Sequence, residues 1–385
     1  MKISDIADII NVTEKDPSNC GIDVFVGLEH YDIAEPVIKR FGSTKMLTTA
    51  TKKFEAGDVL IARRNVYLQR ASVARFSGLT SGDSIVLRVK KNLSSEKTDY
   101  DAMCQLLPFI LNSINFWDYA NTNADGTMSK RLSPAILQEY EFDLPSIEEQ
   151  KVLAEKLWAA YEVKQSYLKM IVATEEMIKS QFIEMFGDPI KNSHNWDIVS
   201  LSTLGELKNG MNFSINESGC KIKCLGVSDF KERNKINSTE ISSILSLNSF
   251  PSEDYLLKDS DIVFVRSNGN KDLVGRCMII ISNKEPLIFS GFCIRLRLNS
   301  LNVMPEFLLF LFKQPSVRQQ IAGRGANINN LNQKVLSALQ IIVPPMEYQQ
   351  QFVAIIHQTE KSISELRKSI DAIDKVIKSL INENL

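Results

Sequence analysis

Positive charge gathers in one short stretch of an otherwise balanced chain. Between residues 51 and 90 stand Lys52, Lys53, Arg63, Arg64, Arg70, Arg75, Arg88 and Lys90, against the acids Glu55, Asp58 and Asp83. That is a local surplus of five positive charges in a chain whose net charge is −1. Such a cluster can hold anions or track a polyanion. Groups for covalent or metal chemistry do not accompany it. The segment 269–276, GNKDLVGR, lacks the spacing and the Lys-Ser/Thr ending of a phosphate loop. There is no HExxH, no double CxxC and no GxSxG elbow. An exocyclic-amine methyltransferase would need an (N/D)PP(Y/F/W) tetrapeptide, and the only Pro-Pro occurs in VPPM. His30, His194 and His357 sit in separate segments, and His357 adjoins an apolar helix stripe, which suits packing or surface. Cys220 and Cys224 form a C-x3-C pair with no second pair; ordinary strand or loop thiols are the reading, zinc the alternative. The chain is read as performing no chemistry of its own.

The elements that must position these residues repeat. GDVLIARR (57–64) parallels SDIVFVRS (260–267), SGDSIVLR (81–88) parallels SGFCIRLR (290–297), and LPSIEEQ (144–150) parallels VPPMEYQ (343–349). Asp58 aligns with Asp261, Arg63 with Arg266, and Pro145, Glu148 and Gln150 with Pro344, Glu347 and Gln349; the offsets of 203, 209 and 199 drift as loop lengths would. The apolar runs VLIA, SIVLRV, IVFVR, CMIIIS and CIRLRL have the β-branched content of buried strands, so each half opens with strands. A proline junction and a long helix follow. The first helix is expected over 147–186, stopped by Phe186-Gly187-Asp188-Pro189, and the second from about 346 onward.

The second helix carries the clearest period. Ile356, Ile363, Ile370 and Ile377 recur every seven residues, with Phe352, Thr359, Leu366, Ile373 and Leu380 in the complementary position. Four heptads of this kind predict a coiled coil. The first helix has a noisier seam of Leu157, Tyr161, Leu168, Ile171, Ile178, Phe182 and Met185, broken by Lys164 and Glu175. Each helix would be about 55–60 Å long. The two stripes most simply bury each other in antiparallel fashion; packing on a partner's helix is the alternative.

Composition fits a globular chain of 385 residues with two domains plus helical material, 44% hydrophobic and 24% charged. Scattered cysteines suit reduced thiols, no apolar run approaches the roughly 20 residues of a membrane span, and no leader pattern is seen, so a cytoplasmic protein is expected.

The junctions LPSIEEQKVLAEKL and VPPMEYQQQFVAII, each introducing a long helix, resemble the conserved regions of type I restriction-modification specificity subunits. GDVLIARRNVYLQRASVARFSGLTSGDSIVLR resembles the strand-loop-strand of a target recognition domain; TMSKRLSPAILQEYEFDLP and INNLNQKVLSALQIIVP resemble the approach to the conserved helix, and FGDP follows the first helix as in that family. The resemblance spans essentially the whole chain. It departs at Leu-Pro-Ser, where the family commonly has Pro-Pro, and in VRSNGNKDLVGRC, which is less basic than its first-half counterpart.

The resemblance implies a mixed α+β fold with an internal pseudo-twofold repeat: recognition domain 1 over 1–145, long helix 1 over 146–187, recognition domain 2 over 188–342 and long helix 2 over 343–385. It implies a non-catalytic subunit reading a bipartite, interrupted target in double-stranded DNA. Two methyltransferase subunits would dock and carry S-adenosylmethionine, and a restriction-translocase subunit with ATP could join; this chain would bind no cofactor, metal or membrane. Base edges are read by Arg or Lys on guanine and Asn or Gln on adenine. The candidates in the first half are Arg63, Arg64, Tyr67, Gln69, Arg70 and Arg75, with Asn121, Asn123 and Lys130. Those in the second are Arg266, Asn268, Asn270, Lys271 and Arg276, with Arg324, Asn327, Asn329 and Asn330; Arg88 and Arg297, at strand ends, read as structural. The alternatives are a scaffold or antirestriction-like protein that binds a methyltransferase without readout, and an enzyme with degenerate motifs.

Overall fold

Val59–Ala62 and Ser84–Val89 form strands because their apolar runs can be covered on both faces, and they pair antiparallel with Leu60 opposite Val86. The computed structural model describes residues 1–95, 97–127, 129–213, 219–231, 233–283, 285–322 and 331–385. It has two compact units: Met1–Lys169 with Leu366–Leu385, and Met170–Glu365. Each long helix is thus shared, rather than forming a segment apart from the globules.

In unit 1 a four-stranded antiparallel sheet runs in the order Ala7–Ile10, Ser84–Val89, Val59–Ala62, Ala71–Val73. A second sheet of five short strands contains one parallel contact, Phe25 opposite Leu79. Helices Tyr100–Ile110 and Ile114–Asn123 cover the first sheet, so that Ile61, Ile85, Leu87, Met103, Leu107, Phe109 and Trp117 share one core.

Unit 2 repeats the plan. Its five-stranded sheet runs Gly205–Asn209, Cys293–Leu298, Ile262–Val265, Cys277–Ile281, Lys235–Asn237. The second sheet, of three strands, again has a parallel contact, Cys224 opposite Ile288. Helices Pro305–Lys313 and Pro315–Ala322 pack over a core of Phe264, Ile294, Leu296, Phe307 and Phe312.

Side-chain geometry repeats with the topology. Asp58, almost fully buried, takes hydrogen bonds from Arg88 Nε and Nη2 at 2.7 and 2.8 Å; Asp261 takes the same two from Arg297 at 2.8 and 2.6 Å. Each carboxylate also accepts the N–H three residues earlier, from Glu55 at 2.8 Å and Lys258 at 2.7 Å. Buried charge is tolerable when paired and hydrogen-bonded in this way. The aligned glutamines are equally telling. Gln150 Nε2 donates to Pro145 O and Lys97 O, both at 2.8 Å, and Gln349 Nε2 to Pro344 O at 2.8 Å and Asn302 O at 2.9 Å. The repeated Pro…Gln motif therefore ties each helix start to its globule.

The first long helix, Ile147–Phe186, begins with a reciprocal cap: Ser146 N–H donates to Glu149 Oε2 at 3.0 Å and Glu149 N–H to Ser146 Oγ at 3.4 Å. It ends at Gly187, whose φ of +72° closes the last turn through an N–H donated to Ile183 O at 2.9 Å. The second long helix is Met346–Asn384. In unit 1, Leu153, Leu157 and Tyr161 share a core with Ile381, with Ile377 and Leu380 packed against it. In unit 2, Ile178, Phe182 and Phe186 meet Phe352 and Ile356, the Phe182 and Phe352 ring centroids being 5.4 Å apart. The early part of one helix thus packs with the late part of the other, an antiparallel pairing.

The heptad expectation needs one correction. Ile171 and Ile370 are buried and Ile363, Leu366 and Ile373 half-buried, but Leu168 is 38% exposed. Lys164 closes the seam one turn earlier, its Nζ donating to Asp374 at 2.6 Å, so Leu168 is left outside. Among the described residues no helix is long and apolar enough to cross a membrane.

Candidate nucleic-acid interface

In unit 1, Ala62 lies opposite Ser84, so the loop after one strand and the turn before the next leave the sheet side by side. Arg63 N–H donates to Asp83 O, and Leu132 N–H to Arg63 O, both at 2.9 Å. The turn is a Ser-Gly-Asp hook: Asp83 N–H donates to Ser81 Oγ at 3.1 Å and Ser84 N–H to Ser81 O at 2.9 Å. Unit 2 builds the same site. Val265 lies opposite Cys293, Arg266 N–H donates to Phe292 O at 2.7 Å, and Leu331 N–H to Arg266 O at 2.7 Å. Its hook is Ser-Gly-Phe, with Phe292 N–H on Ser290 Oγ at 3.3 Å and Cys293 N–H on Ser290 O at 2.8 Å.

The first site gathers cations around one carboxylate. Asp83 lies 3.4 Å from Arg64 Nε and 3.8 Å from Arg131 Nη2, and Arg64 and Arg131 are backbone bridge partners. Lys52 Nζ donates to Ser84 O at 2.9 Å; burial first, then Arg63, holds its pKa below the usual lysine value, with Asp83 opposing. Lys130 O accepts Asn65 N–H at 2.9 Å, and Lys130 Nζ donates to Asn121 O at 2.6 Å.

Two left-handed residues shape the loop, Asn65 at φ 54° and Gln69 at φ 50°. Asparagine adopts this region more readily than most residues, and Asn65 is pinned by Ser129 Oγ donating to its Oδ1 at 3.0 Å. Between them Val66 is buried and Tyr67 projects, 62% exposed. Arg70 braces the loop from behind, donating through Nη1 to Leu28 O at 2.9 Å and Nη2 to Arg64 O at 3.0 Å; burial lowers its pKa.

Arg63, Arg64, Tyr67, Gln69, Arg70 and Lys130 are therefore brought together. Three other candidates also make contacts with the helices. Arg75 lies over the Trp158 ring at 5.2 Å, with Nη2 3.2 Å from Glu162, so it packs on the first long helix. Asn121 and Asn123 turn their amides onto the carbonyls four residues back, Trp117 O and Tyr119 O, both at 2.8 Å. Each of these amides spends one N–H on a carbonyl of its own helix end.

In the second site Arg266 Nη1 donates to Gly291 O at 3.2 Å. Asn268 Oδ1 accepts the Asn270 N–H at 2.8 Å and Asn270 Oδ1 the Asp272 N–H at 3.0 Å, so both asparagines shape turns. Arg276 Nε donates to Asp272 O at 3.4 Å. Lys271 starts the turn Lys271–Leu273, but its side chain lies outside the described residues, as do Arg324, Asn327, Asn329 and Asn330.

Sequence reasoning passed over Arg131, Asp83, Phe292 and Arg318. Arg131 precedes Leu132 in a segment already noted for its resemblance, and that adjacency was its signal. Arg318 donates to Val274 O at 3.1 Å and has its pKa lowered by burial. Cys224 lies in the strand Cys220–Leu225, its thiol pushed up to about 12 by burial, which fits a packed strand residue. Among the described residues no group of three or more His, Cys, Asp or Glu could hold a metal ion.

Residues 193–374 match the family model of the type I restriction modification DNA specificity domain. The chain is 26% identical over 271 residues to the type I restriction enzyme StySPI specificity subunit of Salmonella potsdam, covering 64% of this chain and 56% of that protein. It is 23% identical over 267 residues to the EcoKI specificity subunit of Escherichia coli K12, with 64% and 56% covered. The matched stretches span just over half the length of these relatives. Two solved structures share the fold. One is a chain from work on complex assembly and conformational transition of the type I R-M system, with TM-score 0.58, 14% identity and 100% and 96% of the chains covered. The other is the type I S subunit from M. genitalium, with TM-score 0.52, 13% identity and 99% and 94% covered.

Proposed function

We propose that this chain, which belongs to the type I restriction-modification specificity subunits, is the non-catalytic reader of a bipartite, interrupted target in double-stranded DNA. The observation that carries the reading is the duplicated site. The same backbone frame presents Arg63 beside Asp83 in one unit and Arg266 beside Phe292 in the other, so one scaffold shows two chemistries. Side chains facing base edges supply the discrimination, while neighbouring cations on phosphates set register and make binding salt-dependent. In the first unit Arg64 and Arg131 are the forked donors for a guanine edge, and Lys52 and Lys130 stand behind them.

Catalysis falls to partners. Two methyltransferase subunits would carry S-adenosylmethionine and a restriction-translocase subunit would carry ATP, in the cytoplasm where the host DNA lies. The long helices would act as a ruler that sets the unread spacer, as dimer spacing does for other bipartite readers.

Expression of the chain with a cognate methyltransferase, followed by methylome sequencing with and without this gene, tests the reading. A gene-dependent motif of two short blocks separated by a fixed gap is expected. Methylation that ignores sequence would favour a scaffold, and methyl transfer by the chain alone would favour an enzyme. Inserting one heptad into each long helix should lengthen the gap, and an unchanged gap would reject the ruler.

A further inference from the structure

We propose that the third residue of the Ser-Gly-x hook, Asp83 in unit 1 and Phe292 in unit 2, is a specificity-determining position. Asp83 commits its unit to a G·C pair, and Phe292 commits its unit to a T·A pair read through the thymine methyl. The proposal rests on the reading of the loop faces as DNA-facing.

The two positions are equivalent by hydrogen bonding. Each backbone O accepts the N–H of the first recognition arginine, each N–H donates to the hook serine Oγ, and each next residue donates to the hook serine O. The side chains differ in kind. Asp83 holds two guanidinium groups, Arg64 and Arg131, at 3.4 and 3.8 Å. Phe292 presents a ring, 60% exposed, on a turn fixed by its own backbone and by Arg266 Nη1 donating to Gly291 O at 3.2 Å. An aromatic held on a fixed turn presents a flat apolar face to whatever surface the loop contacts.

The support beneath each hook differs in the same sense. In unit 1, Ser84 Oγ accepts from Tyr31 OH at 2.8 Å and Thr80 Oγ1 at 2.9 Å, and Ser84 O takes Lys52 Nζ. In unit 2 the residue after the hook is Cys293, buried in a core with Phe230 and Phe289. A carboxylate repels phosphate, accepts from the cytosine amine and orients guanidiniums toward guanine. A phenyl ring does none of these and instead suits the thymine C5 methyl.

The test uses the full chain in its methyltransferase complex, on a plasmid library randomised across both blocks of its target. Asp83→Asn and Asp83→Phe should cut discrimination at one G·C position of a single block at least tenfold. Phe292→Asp should do the same at one T·A position of the other block, and Phe292→Leu should retain most of it. In every case the unaltered block reports that the complex is folded. Unchanged preferences in these variants, while Arg64→Ala and Arg266→Ala disturb their blocks, would overturn the proposal alone. If the arginine variants also left both blocks intact, the loop faces would not be readers at all. Loss of methylation on every target with the isosteric Asp83→Asn would equally overturn it, since that assigns Asp83 a structural task.

Discussion

Replacing Gln150 and Gln349 with leucine should destabilise the two units unequally, because the two side chains differ in bond number. Both are fully buried. Gln150 donates to Pro145 O and Lys97 O, and its Oε1 is buried with no hydrogen-bond partner among the described residues. Gln349 donates to Pro344 O and Asn302 O and also accepts Met304 N–H at 2.9 Å. Each group left unpaired by leucine costs roughly 1–3 kcal/mol when buried. Gln150→Leu removes the bonds to two carbonyls and with them an oxygen that has no partner among the described residues, for a net loss of about 1–2 kcal/mol at the low end of that range. Gln349→Leu strands three groups and removes no orphan, for roughly 3–4 kcal/mol on the same scale. For a unit of this size about 2–4 °C of Tm accompanies each kcal/mol. Calorimetry on the whole chain should therefore show a small shift for the first variant and a shift of roughly 6–16 °C for the second. Equal shifts, or a larger one for Gln150→Leu, would refute the account of these glutamines as hydrogen-bonding pins.

The paired charges give a second expectation: Asp261→Ala removes a buried carboxylate that holds Arg297 and the Lys258 N–H, and should cost about 2–4 kcal/mol in chemical denaturation, with Asp58→Ala close to it. In the first long helix, Leu157→Ala should cost about 2–5 kcal/mol, since the site is closed to solvent, whereas Leu168→Ala should stay within roughly 0.5–1 kcal/mol. Asp188 supplies a pH dependence. Burial alone would raise its pKa, but the N–H groups of Lys191 and Ile190 outweigh that and hold it below the usual carboxylate value. A carboxyl with a lowered folded pKa stabilises above its unfolded pKa and loses that contribution as pH falls through the folded value. Urea midpoints of the wild type should therefore fall more steeply below about pH 4 than those of Asp188→Asn, and parallel acid limbs would contradict this.

Much of the frame was legible because it rests on burial and repetition. The runs VLIA and IVFV, short, rich in β-branched residues and bounded by turn residues, favour buried strands, and Asp58 and Asp261 recur before them because a carboxylate there caps a turn and pairs with Arg88 or Arg297. Other repeats were hidden because the bond survives while the residue changes. Gly27 N–H donates to His30 Nδ1 at 2.8 Å, and Gly226 N–H to Asp229 Oδ2 at 2.8 Å, yet GLEHY and GVSDF share only a glycine and a final aromatic. Leu168 fitted the heptad by type alone; one turn before it the seam holds an ion pair from Lys164, which the pattern counted as an interruption. Asn121 and Asn123 were legible as residue types suited to adenine, while the bond each amide also makes to the carbonyl four residues back depends on a helix end that residue type does not show. The sharing of each long helix between units was equally invisible, because a period fixes which face is apolar and not which stretch of the other helix covers it.

Duplication also explains how two sites on one frame can diverge without loss of the fold. The residues that hold the frame act through pairs or triplets of bonds: Asp58 with Arg88, Asp261 with Arg297, Gln150 and Gln349 at the proline junctions. Changing one leaves buried groups without partners. The hook residue is anchored to the frame through its backbone, N–H to a serine and O to an arginine N–H, so side chains as different as those of Asp83 and Phe292 occupy it with the same bonds. Backbone anchoring thus separates where a side chain is presented from what it is. On the proposed reading, a site built this way changes its preferred base by substitution at one position, and the two hooks do so independently because each belongs to its own compact unit.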